Sequence, residues 1–193
     1  MPDETLSPAD HRPLRLQDRV AVVVGAGQTP GATLGNGRAT ALVFAREGAS
    51  LVLVDRDRAS VEETAEMVRA LGAEAVTVEA DVASEEGPAA IVDGALEAFG
   101  RIDHLVNNAA IFGGMEIDLL LTVDWEYYRR FMSVNLDGAL LCTRACWEHM
   151  AARGGGAIVN QSSTAAWMYS NYYGLAKSGI NGLTIQLAHE DRK

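Results

Sequence analysis

What most constrains this chain is an alternation. Five short runs of aliphatic and β-branched residues are separated by segments with helical periodicity. Val20–Val24, Leu51–Val54, Ala75–Val78, Ile102–Val106 and Ala157–Asn160 read as strands. Runs as continuously apolar as the first two fit strands covered on both faces rather than one. Arg38–Glu47 reads as a helix ended by Gly48. Ser60-Val-Glu-Glu63 reads as a capping box opening a helix to Leu71, with Gly72 at its end. Ile91, Ala95 and Phe99 form a helical stripe before Gly100. A long helix is expected over about 123–152, with a stripe of Ala139, Cys142, Thr143, Cys146, Trp147 and Met150, broken by Gly154–Gly156. A last helix is expected over Tyr172–His189. Strand–helix alternation of this kind requires a parallel sheet with helices on both faces. The expectation is one α/β domain over 16–193, after a loose tail over 1–15 that carries three prolines.

The 193 residues suit a single domain with a sizeable core. A net charge of −10 argues against a nucleic-acid backbone or an anionic membrane as main partner. No apolar run is long enough to cross a bilayer, and the acidic start lacks a signal-peptide core. Cys142 and Cys146 are expected to pack as small apolar groups in a reducing cytosol. His11, His104, His149 and His189 are scattered, so no metal site is expected.

Three segments carry chemistry. The first turn after a strand in such a sheet is a natural phosphate site, because glycines let the backbone approach a pyrophosphate and a helix start offers unpaired N–H donors. Here it reads Gly25-Ala-Gly27-Gln-Thr-Pro-Gly31-Ala-Thr-Leu-Gly35-Asn-Gly37. Alone, such a loop can equally be a flexible connection. Asp55, 18 residues after Gly37, ends the second strand where a carboxylate meets an adenosine ribose. There it would accept from the 2′-hydroxyl and repel a 2′-phosphate, favouring NAD over NADP. Arg56 beside it keeps NADP open, and a solvated aspartate is the plainer alternative. Asp81, after the third strand, is either a turn residue or a neighbour of the adenine. The most informative segment is Ser162-Ser163 followed by Tyr173-Gly-Leu-Ala-Lys177. Tyr173 and Lys177 are i and i+4, on one helix face. A cation beside a phenol favours the phenolate, which suits a tyrosine to exchange protons with a carbonyl/alcohol pair. A nearby serine hydroxyl can hold the substrate oxygen.

With these motifs the chain resembles the short-chain dehydrogenase/reductase family from about Gln17 to its end. The resemblance rests on the glycine loop, Asp55, Asp81-Val82, Asn107-Asn108-Ala109-Ala110, Asn135, Ile158-Val-Asn-Gln-Ser-Ser163 and Tyr173 with Lys177. It implies a doubly wound, Rossmann-like parallel sheet of order 3-2-1-4-5. It also implies an NAD-dependent oxidoreductase of secondary alcohols or ketones. Tyr173 would exchange the proton, Lys177 would favour its phenolate and hold the nicotinamide ribose, Ser163 would orient the carbonyl, and Asn135 would anchor a water-borne proton path. Gly25, Gly35, Gly37, Asp55, Asp81, Val82 and Asn108 would join Tyr173 and Lys177 around the cofactor. The helices near 123–152 and 172–190 resemble those that pair subunits, so a cytoplasmic homo-oligomer is expected, with a small alcohol or ketone as partner.

The chain departs from the family pattern in several places. Nine residues separate Gly25 from Gly35, six more than the family's usual three, which leaves open whether Gly27 or Gly31 touches phosphate. Val24 replaces a threonine, and Ala110 a glycine. Ser163 stands ten positions before Tyr173, about three fewer than usual. Ser162 and Ser163 therefore both remain candidates, with Ser163 preferred on the match of Ile158-Val-Asn160. The family's last two strands, its Pro-Gly turn and its substrate lid have no counterpart before Lys193. An exposed edge on the fifth strand is expected. The alternatives are an incomplete copy of a full enzyme, a non-catalytic nucleotide-binding relic or partner subunit, and an NADPH-dependent ketoacyl reductase.

Overall fold

The computed structural model describes residues 13–116 and 118–190. Five parallel strands, β1 (Val20–Val24), β2 (Ser50–Asp55), β3 (Ala75–Glu79), β4 (His104–Asn107) and β5 (Ala157–Asn160), lie in the order 3-2-1-4-5. Around them run α1 (Asn36–Arg46), α2 (Arg58–Ala70), α3 (Gly87–Phe99), α4 (Trp125–Met132), α5 (Gly138–Ala151) and α6 (Asn171–Glu190). No helix among the described residues is long and apolar enough to cross a membrane.

Side chains alternate across a strand, so β1 and β2 feed two cores. Val22, Val24, Val52 and Val54 meet Ile91 and Ala95 of α3 and Cys142, Cys146 and Met150 of α5 on one face. Ala21, Val23, Leu51 and Leu53 meet Ala41 and Ala45 of α1 and Val61, Ala65 and Val68 of α2 on the other. The uninterrupted apolar runs follow from this double coverage. Burial pushes both cysteine thiols up to about 12, as befits inert packing groups.

Local readings are corrected at several points. Asp57, not Ser60, caps α2: its Oδ1 accepts the Ser60 N–H at 3.0 Å, and the helix begins at Arg58. The fourth strand begins at His104 rather than Ile102, and just before it the Asp103 carboxylate accepts the Val20 N–H at 2.8 Å. The long helix over 123–152 is divided. Ser133–Asp137 form a π turn between α4 and α5, and Asn135 Nδ2 inside it donates to the Phe131 carbonyl at 3.0 Å. After the turn, Gly138 passes so close to Val82 that a Cβ there would lie 2.6 Å from Val82 Cγ2. Of the expected stripe on α5, Trp147 is 44% exposed while the other members are buried. Of the expected tail, residues 1–12 lie outside the described residues, and Arg15 pairs with Glu47 at 3.1 Å. β5 is the sheet's outer strand on one side, with Val159 52% exposed.

Candidate active site

The carboxyl ends of β1 and β4 are knotted together at the glycine turn. Gly25, at φ +78°, leaves the strand so near β4 that a Cβ would stand 2.6 Å from Ala109 Cα. Asn108 Nδ2 donates to the Gly25 carbonyl at 2.8 Å, so this expected cofactor residue is itself a clamp on the turn. Gly37, in the first turn of α1, presses on the same carbonyl, where only a hydrogen fits. Gly35 is the N-cap of α1, without a side-chain cap of its own, and no acidic residue occupies the first helical turn. The donors of this helix start therefore face no built-in carboxylate.

At the end of β2, Asp55 Oδ2 accepts the Gly27 N–H at 2.8 Å and Oδ1 accepts the Asp57 N–H at 3.1 Å. Gly27 thus serves Asp55, and a Cβ on it would strike that carboxylate. Asp81, after β3, accepts the Ala83 N–H at 3.0 Å and pairs with Arg130 of α4 at 2.6 Å. Burial works to raise the Asp81 pKa, but the Ala83 N–H, Arg130 and the more distant Arg56 together hold it below the usual range. Val82 is buried against the π turn, with Val134 and Gly138 as neighbours.

The proton-transfer candidates lie beyond β5 and on α6. Lys177 is 3% exposed, and its Nζ donates to the Gln161 carbonyl at 2.8 Å. That ammonium stands 5.8 Å from the centre of the Tyr173 ring, so the i, i+4 prediction holds geometrically. Burial pushes Lys177 down to about 8. Ser162 Oγ donates to the Lys177 carbonyl at 3.4 Å, whereas Ser163 Oγ accepts the Ala165 N–H at 3.2 Å as cap of the 3-10 turn Thr164–Trp167. Asn135 is 2% exposed, and its Oδ1 has no partner among the described residues. Tyr173 packs against Phe112 at 5.3 Å and edge-on to Phe131 at 6.4 Å. It borders an open cavity of about 390 Å³ shared with Phe112, Gly114, Met115, Ser170 and Asn171. The adjacent Tyr172 is fully buried, and its hydroxyl donates to the Glu116 carbonyl.

Sequence reasoning missed Arg130, Gln161, Phe112 and Gln28. The first acts on Asp81 from 49 positions away, and the second acts through its main chain. No local pattern marks either. Together the edge offers N–H donors at the α1 start, carboxylate acceptors at the ends of β2 and β3, and a buried ammonium near a phenol. That donor and acceptor set fits a dinucleotide, with its anionic diphosphate and hydroxylated riboses.

Comparison with known proteins agrees. The profile of the family described as enoyl-(acyl carrier protein) reductase matches residues 31–193. An uncharacterised oxidoreductase of Mycobacterium tuberculosis is 58% identical over 172 residues, covering 89% of this chain and 67% of its own length. Among solved structures, NAD+-bound xylitol dehydrogenase superposes with a TM-score of 0.82 at 32% identity, over 91% of this chain and 66% of the other. Levodione reductase gives 0.83 at 34% identity, over 91% and 67%. The chain spans about two thirds of the length of each of these three proteins.

Proposed function

The chain belongs to the short-chain dehydrogenase/reductase family, and from that premise we propose that it transfers a hydride between NAD and a secondary alcohol or ketone. The observation that carries this reading is the pairing of Tyr173 with a buried Lys177, facing a cavity large enough for a small substrate. NAD, when bound, supplies or accepts the hydride. The chain does the rest. In the reducing direction Tyr173 Oη gives its proton to the substrate oxygen as charge develops there. Lys177, fixed by the Gln161 carbonyl, still holds its proton at neutral pH and stabilises the resulting phenolate. Ser163 is the better serine for orienting the carbonyl. Its bond to Ala165 uses only the oxygen as acceptor, leaving the hydroxyl proton to donate, whereas Ser162 donates to α6. The buried, unpaired Oδ1 of Asn135 supports its place as anchor of a water path toward Lys177.

Asp55 supports NAD over NADP, since a 2′-phosphate beside this carboxylate would be repelled. The exposed Leu175 and Ile185 of α6 support self-association along that helix. Tyr173→Phe tests the central assignment. It should lower turnover by about 10²–10⁴-fold, while NADH affinity, read by fluorescence titration, stays within about twofold. Undiminished turnover would remove Tyr173 from the mechanism. Tighter binding of NADP than NAD in a competitive titration would remove the role given to Asp55.

A further inference from the structure

The six additional residues of the glycine turn are tied off at one side chain. Gln28 Nε2 donates to the carbonyls of Thr29 and Thr33, both at 2.8 Å, and its Oε1 accepts the Gly35 N–H at 2.7 Å. The Gln28 main chain is held from the far side by Ser60 of α2. Its N–H donates to Ser60 Oγ at 2.6 Å, and that hydroxyl donates back to the Gln28 carbonyl at 3.1 Å. The segment 29–34 therefore leaves and rejoins the turn at a single carboxamide. Beyond this neck its residues are largely exposed, and Gly31 has open space around it.

The segment leans toward the loop that follows β4. A Cβ added to Gly113 would lie 2.7 Å from Thr29 Cγ2, so the Thr29 methyl sits on that glycine. Phe112, the neighbouring residue, packs on Tyr173. Thr29, Gly113, Phe112 and Tyr173 thus form a continuous bridge from the phosphate turn to the proton donor. A dinucleotide lying along the strand ends, with its diphosphate at the α1 start and its reacting ring near Tyr173, passes this bridge on its way in and out. We propose that residues 29–34 form a strap that closes over the bound dinucleotide, with Gln28 as its latch, and that opening of the strap sets the rate of cofactor exchange. The latch consists of neutral hydrogen bonds between partly exposed groups, which are individually weak enough to release. The seat on Gly113 is a single methyl contact. This inference rests on the reading of the chain as an NAD-binding protein.

The test is stopped-flow NADH fluorescence on the full chain, reading association and dissociation rates separately. Two variants approach the strap from opposite sides. Gln28→Ala removes the latch, and Gly113→Ala pushes Thr29 off its seat without touching the glycine turn. Both should speed association and dissociation together by about tenfold, leaving Kd within about threefold, as expected of a gate. If Gln28 only props the phosphate turn, Gln28→Ala will raise the dissociation rate and Kd with association unchanged, and Gly113→Ala will do nothing. That result overturns the strap, as do unchanged rates in both variants. A wild-type chain that binds no NADH overturns the NAD reading and the strap with it. Binding with unaltered rates in the variants overturns the strap alone.

Discussion

The two faces of the central sheet and the support beneath Tyr173 are built on different scales. Among the described residues, sixteen buried ones form the core on one side of the sheet and twelve the core on the other, most of them aliphatic and drawn from several elements. Beneath Tyr173 the buried set is Phe131, Tyr172 and Ala176. Phe131 meets Tyr172 edge-on at 4.7 Å, and Tyr127 adds a further ring at 5.9 Å from Tyr172. The nucleotide-side residues therefore sit on a scaffold that the fold cannot form without. The proposed proton-transfer residues sit on a thinner layer, with three buried residues and a border of partly buried ones. Redundancy protects the first region and is missing from the second, so single substitutions should be felt unequally.

Phe131→Ala is the sharpest way to break that comparison. Removing a buried phenylalanine typically costs about 3–5 kcal/mol. The cluster around it is small, with three buried residues bordered by partly buried side chains such as Tyr127, Met132 and Ile111, so the loss should be felt locally. Hydrogen exchange should then show α4 and α6 losing protection while β1 and β2 keep theirs. Turnover should fall with the loosening of Tyr173. A uniform loss of protection over the whole chain would mean that the three clusters act as one cooperative unit, and the distinction would fail.

Lys177 gives the next largest effect, through pH. Its pKa is pushed down to about 8 by burial, from 10.5 for an exposed lysine. Between those values the unfolded chain binds the proton and the folded chain does not. Stability should therefore rise with pH across about 8 to 10.5, by on the order of 3 kcal/mol at most. Lys177→Met should flatten that slope in urea titrations at several pH values. The proposed mechanism runs the other way: under it, carbonyl reduction should fall as pH passes about 8 and the ammonium beside Tyr173 is lost. A slope that persists in Lys177→Met would place the titrating group elsewhere.

The contrast between regions also explains what could be read from the sequence. The strands of the dense half announce themselves because coverage on both faces writes unbroken apolar runs, as in Val20–Val24. Gly48, Gly72 and Gly100, all at positive φ, mark helix ends that local chemistry dictates. The i, i+4 spacing of Tyr173 and Lys177 is local, so their shared helix face is legible from the sequence. What stayed hidden depends on distant contacts. Ser60 carries a capping-box pattern, yet Asp57 starts the helix earlier, and the serine hydroxyl is taken by Gln28, 32 positions away. The π turn is hidden because helical periodicity continues on both sides of it. Arg130 reaches Asp81 only once the fold brings α4 beside the segment that follows β3.

Two helix caps, finally, allow the comparison to be sharpened with nearly identical chemistry. Asp57 caps α2 by accepting the Ser60 N–H at 3.0 Å, and Asp124 caps α4 by accepting the Tyr127 N–H at 2.9 Å. Replacing such a cap by alanine costs about 0.5–2 kcal/mol. Behind Asp57 the helix is fixed by Val61, Ala65 and Val68, all fully buried, so fraying stops within the first turn. Behind Asp124 the helix has eight residues, and Phe131 is its buried one. Asp57→Ala should therefore lie near the lower end of that range and Asp124→Ala near the upper end, a difference of a few degrees in Tm. Asp124→Ala should also lower turnover, because fraying α4 displaces Tyr127 and Phe131 from beneath Tyr173, while Asp57→Ala should leave turnover nearly unchanged. Equal losses of stability, with turnover intact in both, would show that α4 is held as firmly as α2 and that the thin layer under the active site is no weaker than the core.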